Sequence, residues 1–139
     1  MAKYQKKLGN DIRCPLEYGL TIFGGKWKSG EYPQKLYKAL MNSQTVLTVW
    51  DDARLVGLIR VLDDSEMLAQ IHYVLVHPEY QGQGIAGRMV EYIKEKYKNF
   101  MYLELMPEDK NNVPFYEKHG FLARPTAALG PGMIQYLNS

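Results

Sequence analysis

Polar and apolar positions alternate differently along successive parts of the chain. Thr45 to Trp50 and Leu55 to Val61 are rich in β-branched residues, and the polar run Asp51-Asp52-Ala53-Arg54 between them is a turn signal. Together they predict an antiparallel hairpin. Asp63-Asp64-Ser65 marks the next turn, and Leu68 to Val76 predicts a third strand. From Gly84 the period changes: Ile85, Met89, Ile93 and Tyr97 recur every four residues, the stripe of an amphipathic helix that ends near Lys98-Asn99. Phe100 to Met106 predicts another strand, closed by Pro107, and Val113 to His119 a short helix stopped by Gly120. Two last strands fall near Phe121–Arg124 and Met133–Leu137. Before this block, Tyr32 to Met41 predicts a helix with Pro33 at its start, and Leu16, Leu20 and Phe23 predict another behind Pro15, stopped by Gly24-Gly25. After residue 44 the order is therefore β-β-β-α-β-α-β-β, a mixed α/β fold with a sheet flanked by helices.

Composition narrows the class. The chain has 139 residues, 46% hydrophobic and 23% charged, which suits one globular domain and excludes a disordered or collagen-like protein. No apolar run is long enough for a membrane span, and the polar, basic start is not a secretory signal, so a cytoplasmic protein is expected. Cys14 is the only cysteine, which removes intrachain disulfides and cysteine-rich zinc sites. The net charge of +2 is uneven: residues 1–30 hold six cations and two anions, the remainder eleven and thirteen. A basic start fits either a solvated tail or a nucleic-acid arm.

The stretch with chemical content runs from Val74 to Val90. An apolar strand enters a turn containing Gly82, Gly84 and Gly87, then passes directly into the amphipathic helix. Unpaired N–H groups at a helix N-terminus converge on one spot, the helix dipole favours negative charge there, and glycines let a phosphate approach. A tight strand-to-helix turn with no ligand is the other reading of the same residues. The pattern is neither a P-loop, since no Gly-Lys-Ser/Thr follows, nor a dinucleotide fingerprint, since the glycine spacing differs.

Gln81-Gly-Gln-Gly84-Ile-Ala86 resembles the acetyl-CoA signature of the GNAT N-acetyltransferase superfamily, and Val76-His-Pro-Glu-Tyr80 its lead-in. Asn111-Asn-Val-Pro-Phe115-Tyr116-Glu-Lys-His-Gly120-Phe121 is similar to the second signature of that family, so the resemblance covers about residues 31–139. It implies a central, mostly antiparallel sheet and acetyl-CoA as cosubstrate, with no metal. The pyrophosphate would lie on backbone N–H groups of Gln81, Gly82, Gln83, Gly84, Ile85, Ala86 and Gly87. The pantetheine arm would bond backbone at Leu75 and Val76, with Asn111, Phe115, Tyr116 and Lys118 on the other side. An amine would attack the thioester where two adjacent strands splay.

Two proton transfers accompany such an attack. Tyr116 matches the general-acid tyrosine of the family, against the plainer reading of a packing aromatic. For the base, alternation places Gln70, His72, Val74 and Val76 on one face, and His72 stands where relatives that acetylate arylalkylamines use histidine. A structural histidine fits as well, Glu104 is the fallback, and solvent is a third acceptor for the proton. The acceptor amine is unspecified: the helix near 32–41 and the loop Ala127–Met133 would set it, and Glu104, Glu108 and Asp109 hint at a cation. A CoA-binding module without activity is the alternative.

Residues 12–28, with Cys14-Pro-Leu-Glu17 and Gly24-Gly-Lys-Trp27, instead resemble the opening of HxlR-type winged-helix regulators. The first strand and helix of the GNAT core are therefore expected to be replaced, with a junction near residue 30. The segment would cover a sheet edge, form a homodimer contact or retain regulator function; the recognition helix and wing needed for nucleic acid have no counterpart here.

Overall fold

A computed structural model describes residues 3–7, 32–52, 54–107, 110–124 and 132–136. The elements are β1 (Lys3–Lys7), α1 (Pro33–Met41), β2 (Thr45–Asp51), β3 (Arg54–Asp63), β4 (Leu68–Val76), α2 (Ile85–Lys96), β5 (Tyr102–Leu105), α3 (Val113–Lys118), β6 (Leu122–Arg124) and β7 (Gly132–Tyr136). They form one sheet of order β1-β2-β3-β4-β5-β7-β6. Every neighbouring pair is antiparallel except β4 and β5, which run parallel. Among the described residues no helix is long and apolar enough to cross a membrane.

Each predicted element within the described residues is present, with ends shifted by a residue or two. The Asp64 turn shows why β3 reverses where it does. Its carboxylate accepts N–H bonds from Glu66, Met67 and Leu68 at 2.9, 2.7 and 3.1 Å, and these backbone bonds hold it below the usual carboxylate range. Burying the alternating apolar positions splits the core by face. Leu47, Val49, Val56, Ile59, Val61, Ala69 and Ile71 pack under Ile85, Met89, Val90 and Ile93 of α2. On the opposite face Leu36 and Leu40 of α1 cover Val46, Leu55 and Leu58. At roughly 1.5–3 kcal/mol per fully buried aliphatic side chain, this two-sided burial holds the sheet between its helices. Buried Tyr97, just beyond α2, ties that helix to the sheet: its hydroxyl donates to Asp63 Oδ2 at 2.6 Å and bonds Thr45 Oγ1 at 2.7 Å. Burial pushes its pKa up.

The N-terminus differs from expectation. Lys3–Lys7, in the stretch read as a tail or arm, is a strand paired antiparallel with β2 from Lys3↔Trp50 to Lys7↔Val46. A first strand is thus in place, and it belongs to the same sheet as the residues beyond the expected junction. Its sequence, KYQKK, lacks the apolar alternation of a core strand, and lysine-rich composition is what an edge strand tolerates. The helix expected at 15–23, Cys14 and the segment similar to HxlR regulators lie outside the described residues, as do Glu108, Asp109 and the loop residues 127–131.

Candidate active site

The stretch before the glycine turn is anchored before it becomes open. Buried His77 donates its backbone N–H to Val56 O at 2.8 Å, and its Nδ1 accepts from Glu79 N at 3.1 Å, which rolls Pro78–Tyr80 into a single 3-10 turn. The Tyr80 hydroxyl donates to Asp51, and Arg54 pairs with Glu79 at 2.9 Å, so both ends of the β2–β3 hairpin turn grip this segment. Gly82 and Gly84 follow, both at φ +80°, in the left-handed region where a side chain is strained. A Cβ built on either would meet no atom within 4 Å, so the turn opens outward. Gly84 caps α2, whose ladder begins with Arg88 N to Gly84 O at 3.1 Å. The N–H groups of Ile85, Ala86 and Gly87 come before that bond, in the positive end of the helix dipole. The Ile85 side chain is buried in the core, leaving its backbone as the part that could meet a ligand. Gln81 reaches back, its Nε2 donating to Val76 O at 3.4 Å.

Gly87 has a different reason to be glycine. A Cβ there would stand 3.2 Å from His119 Nε2 and 3.3 Å from His119 Cε1, so the residue lets α2 lie against the end of α3. His119 Nδ1 is also 2.6 Å from Glu91 Oε2, clasping the two helices together. Phe115 packs on the His119 ring at 4.8 Å and lines an open groove of about 770 Å³ with Gly84, Arg88 and Lys118.

Beyond the turn the sheet opens. Pairing of β4 with β5 runs from Leu68↔Tyr102 to Ile71↔Leu105 and stops, while β4 continues to Val76 and the other chain leaves through Met106 and Pro107. The resulting cleft, about 80 Å³, is lined by His72, Tyr73 and Leu75 on one side and by Pro107, Asn112 and Tyr116 on the other. Tyr116 is 8% exposed, and its ring packs at 5.0 Å from Phe115 and 6.0 Å from Phe121. α3 thus holds the hydroxyl-bearing ring in place at the cleft. Of the adjacent asparagines, it is Asn112 that lines the cleft. Asn111, the residue expected from the motif, is exposed in the 3-10 turn Lys110–Asn112. Glu104 lies opposite Gln70 in the register and does not line the cleft.

His72 corrects one expectation. In the β3–β4 register Arg60 faces Tyr73 and Val61 faces Ile71, so His72 is an extra residue on β4, a β-bulge. The bulge reverses the alternation: Val74 and Val76 join Ala69 and Ile71 under α2, whereas Tyr73 and Leu75 pack on the α1 side. Strict alternation therefore fails at this residue, and Gln70, His72, Val74 and Val76 do not share a face. The ring of His72 meets Arg60, whose Nη1 is 2.5 Å from His72 Nδ1. Arg60 Nε in turn donates to Ser43 Oγ at 2.7 Å, and Ser43 Oγ donates to Ala39 O at 2.7 Å. Burial first, and the Arg60 charge second, hold the imidazole below its ordinary pKa. Neither Arg60 nor Asn112 was singled out by sequence; the 3-10 turn brings Asn112 to the cleft, and the bulge brings His72 of the cleft onto Arg60.

A splayed parallel pair beside a glycine turn and helix N-terminus is the architecture of the acyl-CoA transferase class. Residues 16–121 match the family model for acetyltransferase (GNAT), and the chain belongs to that family. It is 29% identical over 97 residues to an uncharacterized N-acetyltransferase, ycf52-like, of Prochlorococcus marinus, covering 66% of this chain and 54% of the relative. It is also similar to SA2161 of Staphylococcus aureus, a protein of unknown function described as a probable acetyltransferase: 29% identity, TM-score 0.72, covering 92% of this chain and 93% of that one. The PaiA N-acetyltransferase of Thermoplasma acidophilum, solved in complex with coenzyme A, shares the fold at 16% identity and TM-score 0.67, covering 98% of this chain and 99% of that one. The chain spans 31% to 59% of the length of the curated relatives it matches. Proteins of this family bind CoA or acetyl-CoA. The match begins at residue 16, within the segment that resembled HxlR regulators, and nothing in these comparisons bears that second resemblance out.

Proposed function

We propose that this chain transfers an acetyl group from acetyl-CoA to a primary amine of a small molecule or peptide by direct attack. The observation that carries the reading is the juxtaposition of the open Gly82–Gly84 turn with the unpaired β4 edge at the cleft. A pyrophosphate fits the turn because a Cβ built at Gly82 or Gly84 would meet no atom within 4 Å, and the N–H groups of Ile85, Ala86 and Gly87 precede the first bond of the α2 ladder. The β4 edge from His72 to Val76, without β5 opposite, offers Leu75 and Val76 backbone groups to an extended pantetheine arm, much as a strand adds to a sheet. Phe115 and Lys118 flank the turn from the groove side, and Asn112 flanks the cleft from the 3-10 turn that also holds Asn111.

In that arrangement the amine nitrogen bonds to the thioester carbonyl carbon and the C–S bond breaks. Tyr116 gives its proton to the departing thiolate, the amine sheds one proton to water as the amide forms, and the Tyr116 phenolate takes a proton back from water. The aromatic packing around Tyr116 supports this role by fixing the ring at the cleft wall.

Two measurements on the full chain test the proposal. Acetyl-CoA should raise the unfolding midpoint, and free thiol should then appear on adding one or more members of an amine panel. Stabilisation without thiol release from any amine would leave a CoA-binding module; no stabilisation would remove the cosubstrate.

A further inference from the structure

The Arg60–His72 contact assigns a proton. A guanidinium has donors and no acceptor, and it stays charged at any ordinary pH, so the bond from Arg60 Nη1 has to end on a lone pair at His72 Nδ1. A neutral ring with its lone pair at Nδ1 carries its hydrogen at Nε2. We infer that Arg60 is a positioning residue that fixes His72 as the Nε2–H tautomer, so that His72 offers the cleft a hydrogen-bond donor for an oxygen acceptor and is not the base.

Three observations support this. Arg60 is itself held on two sides, by Ser43 Oγ at 2.7 Å and by the Tyr73 ring at 5.8 Å, so it is not free to swing away from the imidazole. No carboxylate lines the cleft among the described residues; Tyr73 and Tyr116 are the other titratable groups there. An imidazolium formed by taking the amine's proton would therefore face a guanidinium and no compensating anion. The bulge also turns His72 out of the β3–β4 pairing, which is how the ring reaches both Arg60 and the cleft. The amine's proton passes to water at the cleft mouth.

The functional half of this inference rests on the acetyl-transfer reading; the tautomer does not. The first test is nitrogen NMR of the His72 ring in the full chain at pH 7. The expected result is a protonated Nε2 and an unprotonated, hydrogen-bonded Nδ1, relaxing in Arg60→Met to the mixture of tautomers of a free neutral imidazole. A protonated Nδ1, or a doubly protonated ring, overturns the proposal even in a chain that transfers no acetyl group. The second test is kinetic. His72→Ala should lose about tenfold, the worth of one hydrogen bond in a partly dry site, and His72→Gln, whose amide N–H reaches the Nε2 position, should recover most of that loss. If Gln is as poor as Ala, with both down about a hundredfold or more, His72 is the base and the proposal falls. The two sources of the oxygen separate in the Ala variant: a raised KM for the amine places it on the acceptor substrate, a lowered kcat places it on the thioester carbonyl.

Discussion

The glycine turn and the cleft lie at the same end of β4, yet they are built by different means. At the turn the proposed anion site resides in the backbone: Gly82 and Gly84 hold φ +80°, and it needs no side chain. At the cleft the proposed chemistry resides in side chains brought from β4, the 3-10 turn and α3, with Arg60 of β3 bonded to His72, and a bulge decides which of them meet. A backbone site tolerates changes in neighbouring side chains but not in its glycines. A side-chain site behaves in the opposite way, because each group has its own task.

The largest expected effect lies on the cleft side. Tyr116→Phe should lower turnover about a hundredfold or more while acetyl-CoA still shifts the unfolding midpoint as in the parent chain. Unchanged turnover would make Tyr116 a packing residue and move the acid elsewhere. Gly84→Ala is the matching change at the turn: a side chain at φ +80° is strained by about 1 kcal/mol or more, and acetyl-CoA should bind at least several-fold more weakly. Ala at Gly84 with full affinity would sink the backbone account.

A third change asks whether Gly87 belongs with the turn at all. Its close approach to His119 predicts that Gly87→Ala lowers stability by about 1 kcal/mol or more through crowding, and that adding His119→Ala relieves part of that loss. Chemical denaturation of the two variants and of His119→Ala alone measures the coupling. If the double variant is simply additive, the ring does not press on position 87, and the glycine is there for the ligand.

The same contrast governs what could be read from sequence. The turn was legible because a positive-φ glycine and a helix start leave marks on neighbouring residues, and Ile85, Met89 and Ile93 announced α2. Tyr116 was legible through its motif, and the structure brings it to the cleft. His72 was found but placed on the wrong face, since alternation counts residues and a bulge adds one without changing composition. Arg60 reads as a polar break in an apolar strand, and nothing local announces that it will bond a residue 12 positions away. β1 was missed for the opposite reason: an edge strand takes most of its stability from pairing with β2, so its own sequence carries little apolar signal.

The smallest effect tests the clasp that joins the two sites. Glu91 lies below its ordinary carboxylate range chiefly because of the His119 hydrogen bond, with Lys94 adding to it from 3.3 Å. A carboxylate whose folded pKa is depressed stabilises the fold above its unfolded value, here 4.5, and that contribution is lost as pH falls through the lower folded value. Glu91 is largely exposed, so solvent screening keeps the gain to a few tenths of a kcal/mol. Glu91→Gln should therefore lower the unfolding midpoint slightly at pH 7, and the difference from the parent chain should shrink once pH is well below 4.5. The kinetic reading is sharper than the thermal one. α2 carries the turn and α3 carries Tyr116, so loosening the clasp should disturb turnover more than acetyl-CoA affinity, because the first needs both helices in register and the second mainly one. An equal loss in both would mean that the clasp supports the turn itself, and the division between backbone site and side-chain site would be less complete than the geometry makes it.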